Sequence, residues 1–223
     1  MLHTINKPAF FLLSVLLLVF ISCRNDVTLK DVDGNSYKTV KIGNQIWMAE
    51  NLKVTAFRNG DPIPNLAEDK NWAASKSASY CDYNKDAKNA KIYGHLYNWY
   101  AVNDSRGLAP KGWHIPTSKE LEELISFLKS DTIAAAKLKE AGTAHWLTPN
   151  NNADNSSGFT ALPGGYRFND GTFHTIRSNG YWWTNNRSFE MYSWSPRIWE
   201  GFADVERDPQ YLNYGFSVRC IKD

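Results

Sequence analysis

The sequence predicts an α+β fold with a single domain, and three features of the chain support this prediction. Residues 27–49 alternate apolar and polar side chains around two turn signals, as strands do. Residues 90–140 carry apolar side chains at helical spacing, and the chain after Trp146 consists of short aromatic runs interrupted by Gly, Asn and Pro. Residues 27–223 show no linker and no internal repeat, so one domain accounts for them.

The composition excludes two classes of protein. Aromatic residues make up 14% of the 223 residues and charged residues only 22%, which argues against a disordered chain. Lys and Arg (25) nearly balance Asp and Glu (23) with no basic run, so we expect no nucleic-acid partner. The nine Trp side chains supply a large area of rigid apolar surface, and we expect some of them to form a core and others a binding platform.

Residues 1–22 have the pattern of a secretory signal peptide. Lys7 precedes an apolar stretch over residues 9–21, which ends before Ser22 and Cys23. As a helix this stretch would rise about 20 Å, less than a hydrocarbon layer of roughly 30 Å. Residues 20–23 (FISC) resemble the lipobox of bacterial lipoproteins. This resemblance implies that Cys23 carries the lipid, that residues 23–26 form a tether and that the bilayer is a partner. A membrane-spanning anchor and a secreted protein with a free Cys23 are the alternatives.

The three cysteines fit such an anchor. In an oxidising compartment one of three would be left over. If Cys23 carries a lipid, Cys81 and Cys220 remain, and we expect a disulfide between them, with two free thiols as the alternative.

The first elements are strands, followed by an irregular segment and a helix. Turns at residues 33–34 and 43–44 divide residues 27–49 into a strand meander. Residues 53–80, with Asp-Pro-Ile-Pro at 61–64, are predicted to be a long surface excursion. Residues 90–102 then place Ile92, Leu96, Trp99 and Tyr100 at helical spacing, which predicts a helix.

The strongest helix signal follows at Thr117. Thr117 and Glu120 form a capping-box pattern, and residues 121, 124, 125 and 128 mark one apolar face. A further helix is predicted over residues 132–140, before Gly142. The polar run 150–158 is a loop, and the aromatic runs after it are predicted to be strands.

Six stretches in this order resemble the Fibrobacter succinogenes major paralogous domain, which is found in many bacterial surface lipoproteins. They are YKTVKIGNQIWMAENL (37–52), YGHLYNWYA (93–101), APKGWHIPT (109–117), SGFTALPGGYR (157–167), GYWWT (180–184) and YGFSVRC (214–220). The resemblance covers residues 27–223 and implies a location at the bacterial cell envelope, on the periplasmic or outer face of the outer membrane. Through the family's likeness to C-type-lectin-like domains, it also implies paired N- and C-terminal strands and a displayed loop region.

No motif in the sequence indicates catalysis or a cofactor. His95, His114, His145 and His174 lack metal-ligand spacing, and nucleophile-elbow and phosphate-loop patterns are absent. We therefore expect a non-enzymatic protein without a cofactor, in which His114 bonds backbone at a helix start. Asp82, Asn84 and Asp86 alternate and could bind a hard cation, but a solvated turn is the favoured interpretation.

The aromatic and polar residues after position 181 suggest a binding surface. Trp182 and Trp183 are adjacent, so in a strand one ring faces each side, and we assign Trp183 to the core and Trp182 to the surface. Flat rings mixed with amide and guanidinium groups suit a glycan or a protein partner. The candidate ligand residues are Trp182, Asn185, Asn186, Arg187, Tyr192, Trp194, Arg197, Trp199, Tyr211 and Asn213. A glycan-processing enzyme with paired carboxylates and a purely structural envelope protein are the alternatives.

Overall fold

The structure is a computed structural model that describes residues 29–223. The predicted signal peptide (1–22), the tether (23–26) and Cys23 lie outside these residues. Within residues 29–223 no helix is both long and apolar enough to cross a membrane.

The N-terminal residues form the predicted strand meander. Its four strands are β1 (Leu29–Lys30), β2 (Ser36–Tyr37), β3 (Thr39–Ile42) and β4 (Gln45–Met48). β1 pairs with β2 and β3 with β4, both antiparallel. The tight turn between β3 and β4 needs Gly43, whose φ of 60° is costly for a residue with a side chain.

The segment over residues 53–80 is not the predicted surface excursion. Val54, Phe57 and Ile63 are buried in the main core, and a short helix, α1 (Asp69–Ala74), buries Trp72. The apolar side chains here are widely and unevenly spaced, so no helical or strand period marks them as core.

The single helix predicted over residues 90–102 is wrong, because Gly94 interrupts it. After β5 (Tyr80–Cys81) and a 3-10 turn (Tyr83–Lys85), α2 (Ala87–Tyr93) ends at Gly94, whose φ is 78°. A Cβ there would lie 2.7 Å from the carbonyl oxygen of Leu52, so only glycine fits. The chain then forms β6 (Leu96–Tyr97), which pairs with β5, and a second helix, α3 (Trp99–Val102).

The two helices predicted after Thr117 are confirmed. β7 (Trp113–His114) leads into α4 (Ser118–Phe127), and α5 (Asp131–Leu138) follows. The capping box is complete: the Thr117 hydroxyl accepts from the Glu120 amide at 3.1 Å, and the Glu120 carboxylate accepts from the Thr117 amide at 2.8 Å.

The C-terminal part is β-rich, as expected. Its strands are β8 (Tyr166–Arg167), β9 (Phe173–His174), β10 (Asn179–Tyr181), β11 (Arg187–Phe189), β12 (Tyr192–Trp199), β13 (Glu206–Tyr211) and β14 (Ile221–Lys222). β12 pairs with β10 and β11 along one edge and with β13 along the other. β14 lies between β4 and β7, so the C-terminal strand closes on the N-terminal meander, as the family resemblance implied. The architecture is therefore a mixed α+β domain.

Both adjacent tryptophans, Trp182 and Trp183, are core residues. Trp183 packs in the main cluster with Phe216, and Trp182 packs in a second cluster with Leu124 and Phe159. Their rings do point to opposite sides, but α4 and α5 cover the second side. The predicted exposure of Trp182 is therefore wrong: only 5% of it is exposed.

Three buried cations connect separate parts of the chain through main-chain carbonyls. The Lys139 ammonium donates to the carbonyls of residues 151, 199, 200 and 202 at 3.1–3.3 Å. Burial lowers the pKa of Lys139 to about 8. Arg167 bonds the carbonyls of residues 66, 67 and 171 and the carboxylate of Asp69. Arg219 bonds the carbonyls of Phe159 and Thr160, and burial lowers its pKa to about 9.

Asn51 joins four distant segments with its side chain alone. Its amide donates to the Tyr93 carbonyl at 2.7 Å and to the Ser217 hydroxyl at 3.2 Å. Its oxygen accepts from Trp182 Nε1 at 2.9 Å and from Arg219 Nε at 2.8 Å. All of these groups are buried, so none of them can form a hydrogen bond with water instead if the Asn51 side chain is removed.

We predict that Asn51→Ala lowers the free energy of unfolding by about 3 kcal/mol or more, because it leaves several buried polar groups unpaired. Chemical denaturation measures this loss. Asn185→Ala, which truncates an exposed asparagine, is the matched control and should change it by less than about 0.5 kcal/mol. A loss at Asn51 no larger than the control's would contradict the network's role.

The predicted disulfide is wrong: Cys81 and Cys220 are both buried free thiols. Cys81 lies in β5 and packs with Trp72 and Tyr83, whereas Cys220 belongs to the main cluster, where its amide donates to Met48 Sδ. The two side chains thus occupy different clusters, and no cysteine pair in the described chain is at bonding distance. Burial raises the pKa of Cys81 to about 12 and raises that of Cys220 as well.

We predict that neither thiol reacts in the folded chain, because the reactive thiolate is suppressed and reagents cannot reach it. Alkylation without a reductant, followed by peptide mass spectrometry, should label Cys81 and Cys220 only after denaturation. Unlabelled cysteines in the denatured chain would indicate that the bridge forms after all.

Candidate functional site

The candidate site is built on the antiparallel ribbon of β12 and β13. Tyr192 lies opposite Tyr211, Trp194 opposite Pro209, and Pro196 opposite Arg207. The Leu212 amide donates to the Met191 carbonyl at 3.1 Å, which marks residues 191 and 212 as a hydrogen-bonded pair. Since bonded and non-bonded pairs alternate, these three pairs are non-bonded and share one side of the ribbon.

We call this side the ribbon face: Tyr192, Trp194, Pro196, Arg207, Pro209 and Tyr211. Trp194 is 39% exposed and Tyr211 is 38% exposed, large fractions for such side chains. The rings of Tyr192 and Tyr211 lie 4.6 Å apart, and this close contact with the Tyr211 side chain raises the pKa of Tyr192. The face therefore presents a short row of aromatic rings to solvent.

A groove of about 510 Å³ separates the ribbon face from α4, and we call it the α4 groove. It is lined by Ser118, Leu121, Glu122, Thr184, Trp194, Ser195, Pro196 and Arg207. Thr184 and Ser195 already donate their hydroxyls to the carbonyls of Trp194 and Trp182. The buried Ser118 hydroxyl, by contrast, has no hydrogen-bond partner in the described chain. The groove thus combines one exposed indole with polar groups that are not all satisfied.

Two of the predicted ligand residues, Arg197 and Trp199, lie on the other side of the ribbon. Arg197 bonds Glu206, approaches Asp208 at 3.5 Å and lies 4.2 Å over the Trp199 ring. Burial acts to lower the pKa of Arg197, but the bonds to Glu206 and Tyr181 outweigh it and raise the pKa. The predicted cluster is therefore divided between two surfaces, and only Tyr192, Trp194 and Tyr211 share the ribbon face.

The remaining predicted residues mostly make local contacts. Asn186 Oδ1 accepts from the Ser118 amide at 2.6 Å, so it joins the loop before β11 to the start of α4. Asn185 is exposed, and its main-chain N–H donates to the Pro116 carbonyl. The Arg187 guanidinium lies 5.8 Å over the Trp99 ring, and the Asn213 carbonyl accepts from Trp72 Nε1.

The candidate cation residues form a turn in which two carboxylates have protein partners. Asp82 Oδ1 lies 2.7 Å from His95 Nδ1, and Asp86 accepts from the Lys88 amide as the N-cap of α2. Asn84 adopts the left-handed conformation, with φ at 53°. Within residues 29–223 no group of three or more His, Cys, Asp and Glu side chains could hold a metal ion.

The sequence did not indicate the α4 side of the groove. Ser118 and Glu122 precede the ribbon by some seventy residues, and their helix was interpreted only by its buried face. The alternation in YSWSPRIW could have separated Trp194 from Arg197 and Trp199, because residues of opposite parity in a strand face opposite ways.

His114 fixes the start of α4 beside the groove, through carboxylates and not through the predicted backbone bond. Its Nε2 lies 2.8 Å from Glu120 and its Nδ1 lies 2.8 Å from Asp223. Burial acts to lower the pKa of His114, but hydrogen bonds to the two carboxylates outweigh it and raise the pKa. The same contact helps to lower the pKa of Glu120.

Comparison with protein families identifies the chain. The family model of the Fibrobacter succinogenes major domain matches residues 40–222. The chain belongs to this family. Neither the curated proteins nor the solved structures contain a match to it. The relation to C-type-lectin-like domains stays a prediction.

We predict that the contribution of His114 to the free energy of unfolding falls as the pH rises from 6.5 to 8.5. In the folded chain the pKa of His114 is raised above its ordinary value of 6.5. The ion pairs of His114 therefore stabilise the fold fully below pH 6.5, and this stabilisation is lost as the pH rises through the folded-state pKa. The lowered pKa of Glu120 keeps its carboxylate charged over this range. Urea denaturation at both pH values measures the effect.

His114→Gln is the matched variant, because glutamine keeps hydrogen-bonding capacity without the titration. The stability difference between wild type and this variant should shrink over the same interval, and the comparison cancels the opposite effect of Lys139, whose pKa is lowered to about 8. A difference that stays the same at both pH values would show that His114 does not contribute this effect.

Proposed function

We propose that this protein is a non-enzymatic binding module of the bacterial cell envelope, anchored through a lipid on Cys23. The observation that carries the binding part is the solvent-exposed Trp194 beside the α4 groove. An indole costs little conformational entropy to immobilise and contributes a large contact area, which is why such residues dominate binding energies. The ligand is a glycan or a surface protein.

Two features of the chain support the proposed location. Family membership supports a bacterial surface protein, and the lipobox-like residues 20–23 supply the anchor. A domain held at the outer membrane, on its periplasmic or outer face, meets envelope polymers and proteins at high local concentration. A binding face on such a domain would therefore work even at modest affinity.

Binding fits the α4 groove better than catalysis does. Of the described residues that line it, Glu122 is the only carboxylate, whereas glycoside hydrolysis commonly needs a pair. The two thiols of the described chain are buried and their pKa values are raised, so neither can serve as a nucleophile there.

We expect the purified full-length chain in detergent to bind delipidated cell-envelope fragments saturably, and Trp194→Ala to weaken this binding at least about tenfold. Removing lipid from the fragments prevents the acyl chain from contributing. Co-sedimentation measures the affinity, and thermal unfolding shows whether the variant is folded.

Phe202→Ala is the matched control, since Phe202 is an exposed aromatic residue that does not line the groove. It should bind like wild type. If Trp194→Ala also binds like wild type, the site is wrong. If wild type shows no saturable binding, the proposed function is wrong.

A further inference from the structure

We infer that the ligand of this site is an uncharged glycan chain that lies along the ribbon face and enters the α4 groove. The inference rests on the proposed function and narrows it to one class of ligand. Four features of the described chain support it: a free sheet edge that is unsuited to strand pairing, the charges of the groove, a hydroxyl without a hydrogen-bond partner and the row of aromatic rings.

The open edge of β13 is unsuited to a peptide that binds as an added strand. In the described chain β13 pairs only with β12, so its other edge is free. Pro209 sits in a non-bonded pair, and its nitrogen therefore faces that free edge, where it has no hydrogen to donate. The neighbouring Asp208 and Arg207 are charged, which further discourages strand pairing. The usual mode of peptide capture by a sheet is thus weakened here.

The charges of the groove disfavour an anionic ligand. Among the described residues that line the groove, the one guanidinium, Arg207, is already bonded to Asp131 at 2.7 Å. The one carboxylate among them, Glu122, would repel a uronate or phosphate group. A carboxylate accepts hydrogen bonds only, so it suits a ligand that offers hydroxyl donors without charge.

The Ser118 hydroxyl supplies a second polar contact. This hydroxyl has no hydrogen-bond partner among the described residues, so it can bond a ligand that enters the groove. Ser118 lines the same groove as Trp194 and Glu122. A sugar hydroxyl can both donate and accept, so one ligand class can satisfy Ser118 and Glu122 together.

The row of rings indicates a chain of several sugars and not a single one. The Tyr192–Tyr211 pair and Trp194 are successive positions on one side of the ribbon, about 7 Å apart along the strands. Each ring offers a flat apolar surface for the C–H face of one sugar, while the groove contacts the next.

The first test separates this inference from the proposed function. Delipidated envelope fragments are treated with periodate, which cleaves glycan diols, or with protease, and the full-length chain is then bound to each. Trp194-dependent binding should survive protease and be lost after periodate. Binding that survives periodate and is lost after protease would overturn the glycan and leave the binding module standing. Binding with no dependence on Trp194 in untreated fragments would overturn both.

The second test uses defined probes. We expect cellohexaose or xylohexaose, which are uncharged, to quench tryptophan fluorescence saturably, and hexagalacturonate to bind at least about tenfold more weakly. Tighter binding of hexagalacturonate, or no binding of any of the three, would overturn the inference.

Ser118→Ala distinguishes a ligand contact from a structural role. Removing an unpaired buried hydroxyl at a helix start should leave the melting temperature unchanged or raise it. The same substitution should weaken binding of the uncharged hexasaccharide about threefold or more. Phe202→Ala should change neither quantity. A Ser118→Ala variant that binds the sugar as wild type does would remove Ser118 from the site and contradict the hydroxyl argument.

Discussion

The fold depends on one buried amide, the side chain of Asn51. It follows the N-terminal meander and bonds groups at residues 93, 182, 217 and 219. Two of these contacts pair atoms, Trp182 Nε1 and Arg219 Nε, that would otherwise be buried without a partner. The start of the domain, the end of α2, the segment after β10 and the C-terminal residues are thereby fixed together. The same bonds also reach the strand that carries the site, because the main-chain amide of Trp182 donates to the Pro196 carbonyl of β12.

Buried cations extend this arrangement to the loops. Arg167, Arg219 and Lys139 each bond main-chain carbonyls of distant segments that strand pairing does not satisfy. Lys139 donates to carbonyls of the turn after β12, and it therefore fixes one end of the ribbon that carries the candidate site. Such groups are expensive to desolvate, but they direct several carbonyls to one point, which apolar side chains cannot do.

Local signals in the sequence predicted local structure well. The Thr117–Glu120 pattern identified the start of α4, and Gly43-Asn44 identified the turn between β3 and β4, because both depend on neighbouring residues only. Signals failed where burial is decided by distant parts of the chain. The buried Val54 and Phe57 follow neither a helical nor a strand period. Gly94 ends α2 because the chain passes close to Leu52 there, and Trp182 is buried because α4 and α5 cover it. The site divides in the same way: Trp194 and Tyr211 were predicted, but Ser118 and Glu122 reach them only through the tertiary fold.

The free thiols of Cys81 and Cys220 have a consequence for how the protein matures. The tertiary structure of residues 29–223 contains no disulfide, so this part of the chain needs neither a thiol oxidase nor a disulfide isomerase to fold. Folding of these residues can therefore proceed equally well where an electron acceptor is scarce. Because Cys81 and Cys220 form no disulfide, a reducing cytoplasm, such as that of a laboratory expression host, can produce the domain in its native form.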